Sequence, residues 1–168
     1  MFKDVSAFYE GARNAVETFN RFISDYDLKD AVIADHICYK VSSAENFERM
    51  RRIFEGDSKW IYQAIISKRR IDTIRTNQTL ETSIGGINLV ELSDQKPDGS
   101  QIDGFDHIEI YPTVITYDEL VSNLKGRGLE VKEIFRPHHT THDITIDNGF
   151  IVRLTRNRLA EKIKSEIN

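Results

Sequence analysis

Gly104-Phe105-Asp106-His107-Ile108-Glu109-Ile110-Tyr111 is the stretch on which the fold turns, because its centre, Asp-His-Ile, has already occurred once, at Asp35-His36-Ile37. Both copies alternate apolar and polar residues, the two-residue period of a β-strand with one face turned to a core. In the second copy Ile108 and Ile110 share one face, and His107, Glu109 and Tyr111 the other. In the first, Ile37, Tyr39 and Val41 oppose His36, Cys38 and Lys40. Each strand is followed by a capped helix. Ser42 with Glu45 opens one through Phe47, Met50, Ile53 and Phe54 to Gly56, and Thr116 with Glu119 opens another through Leu120 and Leu124 to Gly126.

Strand-like runs complete each unit. After the first helix come residues 59–66 and 70–76, a less regular stretch, the Gly85-Gly86 break and then 87–92. After the second come 130–135, 143–146 and 150–155, with Asp147-Asn148-Gly149 supplying hairpin-turn chemistry. The final strands match without a gap, Leu89-Val90-Glu91-Leu92-Ser93 against Ile151-Val152-Arg153-Leu154-Thr155, a shift of 62 residues from 91 to 153. The histidine strands are shifted by 71, from 36 to 107, so the second unit is shorter, in its hairpins, where loop length is tolerated. Matching strands and matching capped helices in one order read as a tandem duplication. The predicted fold class is α+β: two tandem βαβββ modules, residues 31–99 and 100–168, forming a cupped, barrel-like mixed sheet within a single domain, 1–168. Residues 1–30 form an added N-terminal helix, with Phe8, Ala12, Ala15, Phe19, Phe22 and Tyr26 on one face, and 159–167 a short closing helix.

With 168 residues, 39% hydrophobic and 30% charged, the chain has the composition of one ordinary globular domain. No apolar run reaches the roughly 20 residues of a membrane span, and the amino terminus is polar and acidic, so the reading is cytoplasmic with no membrane partner. Basic residues are dispersed in a chain of net charge −4, which gives no phosphate-tracking surface and no expectation of nucleic acid. The single cysteine, Cys38, cannot form an internal disulfide. A homodimer is left open.

The chemistry belongs to the face that the apolar residues do not use. If the two modules join their sheets, His36 and His107 point into one concavity, beside Glu91 of the first final strand. Two imidazoles and a carboxylate suit a borderline divalent ion (Zn, Mn, Fe or Ni), with positions open to water or a small-molecule substrate. Arg153 matches Glu91 in the second module and cannot ligate a metal, so three protein ligands and an open side are expected. Arg153 or Arg69 would hold a substrate carboxylate. Taken singly, either histidine also reads as a satisfied, partly buried residue; it is the pairing at equivalent positions that argues for ligation. Glu109, two residues after His107 on the same face, is a fourth ligand, a general base or a partner of a ligand; it is the catalytic candidate. Asp35 and Asp106 fall on the opposite face and read as turn or sheet-end partners. Lys68-Arg69-Arg70 reads as a solvated hairpin turn or as a loop closing over an anionic ligand. His138, His139 and His142 form either an exposed polar loop or a lid over the site, with His142 a candidate substrate contact.

Ala34-Asp35-His36-Ile37, Val90-Glu91-Leu92 and Gly104-Phe105-Asp106-His107-Ile108-Glu109, in this order and spacing, resemble the YecM-like proteins. These are a branch of the vicinal oxygen chelate superfamily, which includes glyoxalase I, epimerases and extradiol dioxygenases. The resemblance spans most of the chain. It implies paired βαβββ modules around a cupped sheet and a divalent metal held by His36, Glu91 and His107. The chain departs from the family pattern at Ser93, where a proline tends to follow, and at Thr155-Arg156, where a histidine lies near the end of the last strand. The resemblance supplies a site without a substrate; the first functional reading of that site is a metal-dependent enzyme acting on a small oxygen-rich, anionic substrate, of isomerase, epimerase, lyase or dioxygenase type. The alternatives are a non-catalytic small-molecule or metal-binding protein of the same fold, and an interaction module in which the histidines are structural.

Overall fold

The computed structural model describes residues 2–135, 140–159, 161 and 163. His138, His139 and most of the predicted closing helix lie outside the described residues. The amino-terminal helix is two helices, α1 (Val5–Gly11) and α2 (Arg13–Asp25), meeting at Ala12. Asp4 caps α1, its carboxylate accepting from the Ala7 backbone N–H at 2.7 Å. The predicted aromatic stripe is the buried one: Phe8, Ala12, Phe19 and Phe22 are in the core, joined by Val16 and Ile23. Phe8 lies 5.0 Å from Phe105 and 5.1 Å from Phe54, ring centre to ring centre, and also meets Phe2 and Tyr39.

Then come β1 (Val32–Lys40), α3 (Ala44–Glu55), β2 (Ser58–Ile66), β3 (Arg69–Thr82) and β4 (Gly85–Ser93). The second module has β5 (Gly104–Pro112), α4 (Tyr117–Gly126), β6 (Lys132–Phe135), β7 (Thr140–Thr145) and β8 (Ile151–Leu154). Thr116 and Glu119 form the full reciprocal capping box of α4. In the first module the cap is Ser43, one residue later than predicted, because Ser42 is held in the preceding loop with its N–H donated to Asp103. The stretch after Thr76 that looked irregular is strand: β3 runs on to Thr82 through a register shift against β4 between Arg75 and Leu80. The β2–β3 turn is made by Ser67 and Lys68 alone, with φ of 52° and 63°. Arg69 and Arg70 therefore belong to β3, and Arg70 is ion-paired with Glu48 and Asp94.

All eight strands form one mixed sheet in the order β2-β3-β4-β1-β5-β8-β7-β6. β1 pairs parallel with β4, β5 parallel with β8, and β1 antiparallel with β5. Read outward from the β1–β5 seam, the two halves have the same arrangement, so the α+β, paired-module class is the one observed. Among the described residues β2 and β6 are the two edge strands, and the sheet is not closed into a barrel. Ile37 faces Ile108 across the seam, each the equivalent of the other, and both are fully buried on the helix side. No helix among the described residues is long and apolar enough to cross a membrane.

This seam leads to an expected result. A strand at the middle of a sheet, stripped of its partner, exposes a row of backbone donors and acceptors and an apolar face. Residues 31–99 and 100–168, produced separately, are expected to be unfolded or aggregated by circular dichroism and size-exclusion chromatography. Two soluble fragments that each melt cooperatively would show instead that every module is a domain in its own right.

Candidate metal centre

The parallel pairs fix which side chains meet. Cys38 lies beside Glu91 in the first module and Glu109 beside Arg153 in the second, while His36 lies beside Leu89 and His107 beside Ile151. The equivalent pairs are thus His36 and His107, Cys38 and Glu109, and Glu91 and Arg153. His36 and His107 are each 1% exposed, and their ring centres are 5.7 Å apart. Two sets of potential ligand atoms lie within 4.8 Å of one another among the described residues: His36, His107 and Glu109, and Cys38, Asp106 and His107. Glu91, expected as the carboxylate ligand, enters neither set; its Oε1 accepts from Cys38 Sγ at 3.3 Å. Glu109 Oε2 is 3.9 Å from His36 Nδ1 and accepts from the Tyr111 hydroxyl at 2.9 Å.

Asp35 and Asp106 need a correction. Simple alternation would turn both away from the histidines, but β1 and β5 pair through two register shifts, between Ala34 and Ile37 and between Cys38 and Tyr39. Each shift adds one residue to one strand, at Asp35 in β1 and at Asp106 in β5, and a bulge of this kind re-aims a side chain. Asp106 is swung beside His107 and accepts from its Nδ1 at 2.8 Å and from Lys40. Asp35 is reached by the Tyr111 hydroxyl at 3.5 Å and by Arg158 at 3.5 Å. The two bulges are equivalent, as are Lys40 and Tyr111, so the contacts Lys40–Asp106 and Tyr111–Asp35 mirror each other.

The Asp106 contact fixes the His107 tautomer with its proton on Nδ1, leaving the Nε2 lone pair for a ligand. Burial and the Arg153 guanidinium hold the His107 pKa below the usual imidazole value, against the pull of Asp106 and Glu91, which favours the neutral form that ligation requires. Burial pushes the Glu91 carboxyl up, but His107, His36 and Arg153, with the Cys38 hydrogen bond, outweigh it and hold the group below its ordinary value. Burial and the neighbouring Glu91 and Asp106 charges push the Cys38 thiol well up, so without a metal it is a thiol.

One observation fits a divalent ion to these residues. Both nitrogens of His36 are buried with no hydrogen-bond partner among the described residues, an expensive state for a group with one donor and one acceptor.

Arg153 is at the cluster, its Nη1 3.0 Å from His107 Nε2, with its Nε and Nη2 held by Asp143 at 2.8 and 2.9 Å. Arg69 is elsewhere, bonded through Nη1 to the Gln101 side chain and the Asp94 carbonyl. His142 does not reach the cluster either. It sits within β7, where Asp143 takes the site face, so the His142 ring turns to α4, and its Nδ1 and the Tyr117 hydroxyl share a 2.7 Å hydrogen bond. Burial, the largest cause, pushes the Tyr117 hydroxyl up to about 12. Cys38, Asp143 and Tyr111 were missed as site residues. Cys38 and Tyr111 already lay on the histidine faces, whereas Asp143 becomes visible only once β7 is registered against β8.

Fold and cluster together define an α+β protein of paired βαβββ modules in which equivalent strands bring two buried histidines together, edge to face. The chain belongs to the YecM family, whose model, described as YecM protein, matches residues 6–147. The structural-genomics structure of protein EC4020 is similar, with a TM-score of 0.69 and 19% identity, covering 94% of this chain and 92% of that one. That likeness shows the fold. A methylmalonyl-CoA epimerase in complex with methylmalonyl-CoA and NH4+ has a TM-score of 0.49 and 14% identity, covering 77% of this chain and 96% of its own. The 2,3-dioxygenase LapB from Pseudomonas sp. KL28 has a TM-score of 0.49 and 12% identity, covering 77% of this chain and 42% of its own. No curated protein matches the sequence.

Proposed function

We propose that this protein is a divalent-metal-dependent enzyme acting on a small, oxygen-rich, anionic substrate, by isomerisation, epimerisation, lyase or oxygenase chemistry. The observation that carries this reading is the triad of buried His36 and His107 with half-buried Glu109, its ligand atoms within 4.8 Å of one another and neither nitrogen of His36 hydrogen-bonded among the described residues. The two histidines would hold the ion. Glu109 or Glu91 would complete the ligand set, and the other would be left to move a proton. A bound ion of this kind polarises a carbonyl or stabilises an enediolate. Tyr111, donating to Glu109, orients that carboxylate, and Asp106 holds the His107 ring in the tautomer whose lone pair is on Nε2, the nitrogen beside Arg153.

Metal analysis of protein purified without a histidine tag tests the reading directly, and one equivalent of a transition-metal ion is expected. Of Glu91→Gln and Glu109→Gln, one is expected to lose that equivalent and the other to retain it with the fold intact. Should both retain it, neither carboxylate ligates. A wild-type protein that binds no metal would leave only the binding or interaction readings.

A further inference from the structure

We propose that Arg153 sets the metal affinity of this centre, opposing the ion until an anion joins it, so that metal and anion bind with positive coupling. This rests on the metal-centre reading above. The guanidinium stands where the pseudo-symmetry puts the counterpart of Glu91, a cation in place of a carboxylate. Its Nη1 is 3.0 Å from Nε2 and 3.2 Å from Nδ1 of the same His107 ring. The in-plane directions of the two ring nitrogens diverge, so one atom nearly equidistant from both is not aligned with either. It lies against the ring, beside the nitrogen that a metal would need. An ion about 2.0–2.1 Å from Nε2 would then be a few ångströms from a fixed positive charge.

Arg153 cannot easily retreat. Its Nε and Nη2 are both tied to Asp143, at 2.8 and 2.9 Å, and both side chains are largely buried, 11% and 12% exposed. A bidentate charge-assisted pair is rigid as well as strong. Nη1 is the nitrogen left over, and it points at the cluster. A negatively charged oxygen placed between the ion and Nη1 would remove the repulsion and gain a hydrogen bond. Because linkage is reciprocal, an anion that tightens the metal must be tightened by it to the same degree. A ligand that meets both demands has a metal-binding oxygen and a carboxylate on neighbouring atoms.

Chelator-treated wild-type protein and Arg153→Met are titrated with Co2+, followed by visible absorption, with and without acetate as the probe anion. Arg153→Met is expected to bind Co2+ roughly 5- to 150-fold more tightly than wild type, the usual range of such couplings. Acetate is expected to tighten Co2+ binding to wild type and leave the variant unchanged. If the folded variant binds Co2+ no more tightly than wild type, the competition is absent although the metal centre stands. If neither protein binds Co2+ at all, both readings fall. Should Arg153→Met not fold, Arg153→Gln, neutral and shorter, decides by the same titration.

Discussion

Replacing His36 with leucine is expected to make the metal-free protein more stable while abolishing its stoichiometric metal binding. The imidazole is 1% exposed and neither nitrogen finds a hydrogen-bond partner among the described residues. A buried polar group left unsatisfied costs about 1–3 kcal/mol, and leucine removes that cost while filling a similar space. His107→Leu is expected to act in the opposite sense on stability. It takes away the donor that Asp106 accepts from at 2.8 Å and uncovers the Arg153 guanidinium, leaving buried charge less well paired. Both variants should lose the metal. Urea unfolding in the presence of a chelator, set beside metal analysis of the same preparations, separates the two effects. A fall in stability for His36→Leu would mean that His36 is an ordinary core residue with a partner in solution, and its assignment to the ion would have to be withdrawn.

The second large effect lies away from the cluster. Phe8→Ala is expected to cost about 3–5 kcal/mol of folding stability, the range for removing a large aromatic side chain from a packed core. Phe8 is fully buried, and its ring touches Phe2, Tyr9, Tyr39, Phe54 and Phe105. Through Tyr39 and Phe105 it reaches the β1–β5 seam from the face opposite His36 and His107. Thermal or urea unfolding reads the change, and a loss below about 1 kcal/mol would show that the cavity collapses and that α1 is only loosely attached.

What was legible in the sequence was what local periodicity dictates. Alternation at Ile37-Cys38-Tyr39 and Ile108-Glu109-Ile110 assigned the faces of the two central strands, and the gapless match of the last strands placed Arg153 opposite Glu91 before any strand was paired. What was not legible depended on pairing between distant segments. The bulges that bring Asp106 round to His107 and Asp35 to the Tyr111 hydroxyl exist only in the register of β1 against β5, so a rule of strict alternation put both on the wrong face. The same is true of Asp143, which meets Arg153 only across β7 and β8. His142 was drawn toward the site by its place in a histidine-rich run. Strand β7 begins at Thr140, and its parity sends His142 to α4. Which carboxylate accompanies the histidines was equally hidden, since Glu91 and Glu109 differ in side-chain direction and hydrogen-bond partner rather than in pattern.

The facing pair Ile37 and Ile108 marks an axis about which the two modules repeat, and a lone module could in principle form the same seam with a second copy of itself. Such an assembly would carry every feature twice. A glutamate in the last strand would face another glutamate, a cysteine another cysteine, and no cation could appear opposite a carboxylate without a second cation appearing beside it. Joining the halves in one polypeptide lifts that constraint. Glu91 and Arg153, or Cys38 and Glu109, can then drift apart independently while the histidines stay matched. The covalent link between β4 and β5 is therefore what allows this cluster a handed distribution of charge, a carboxylate in one half where the other carries a guanidinium.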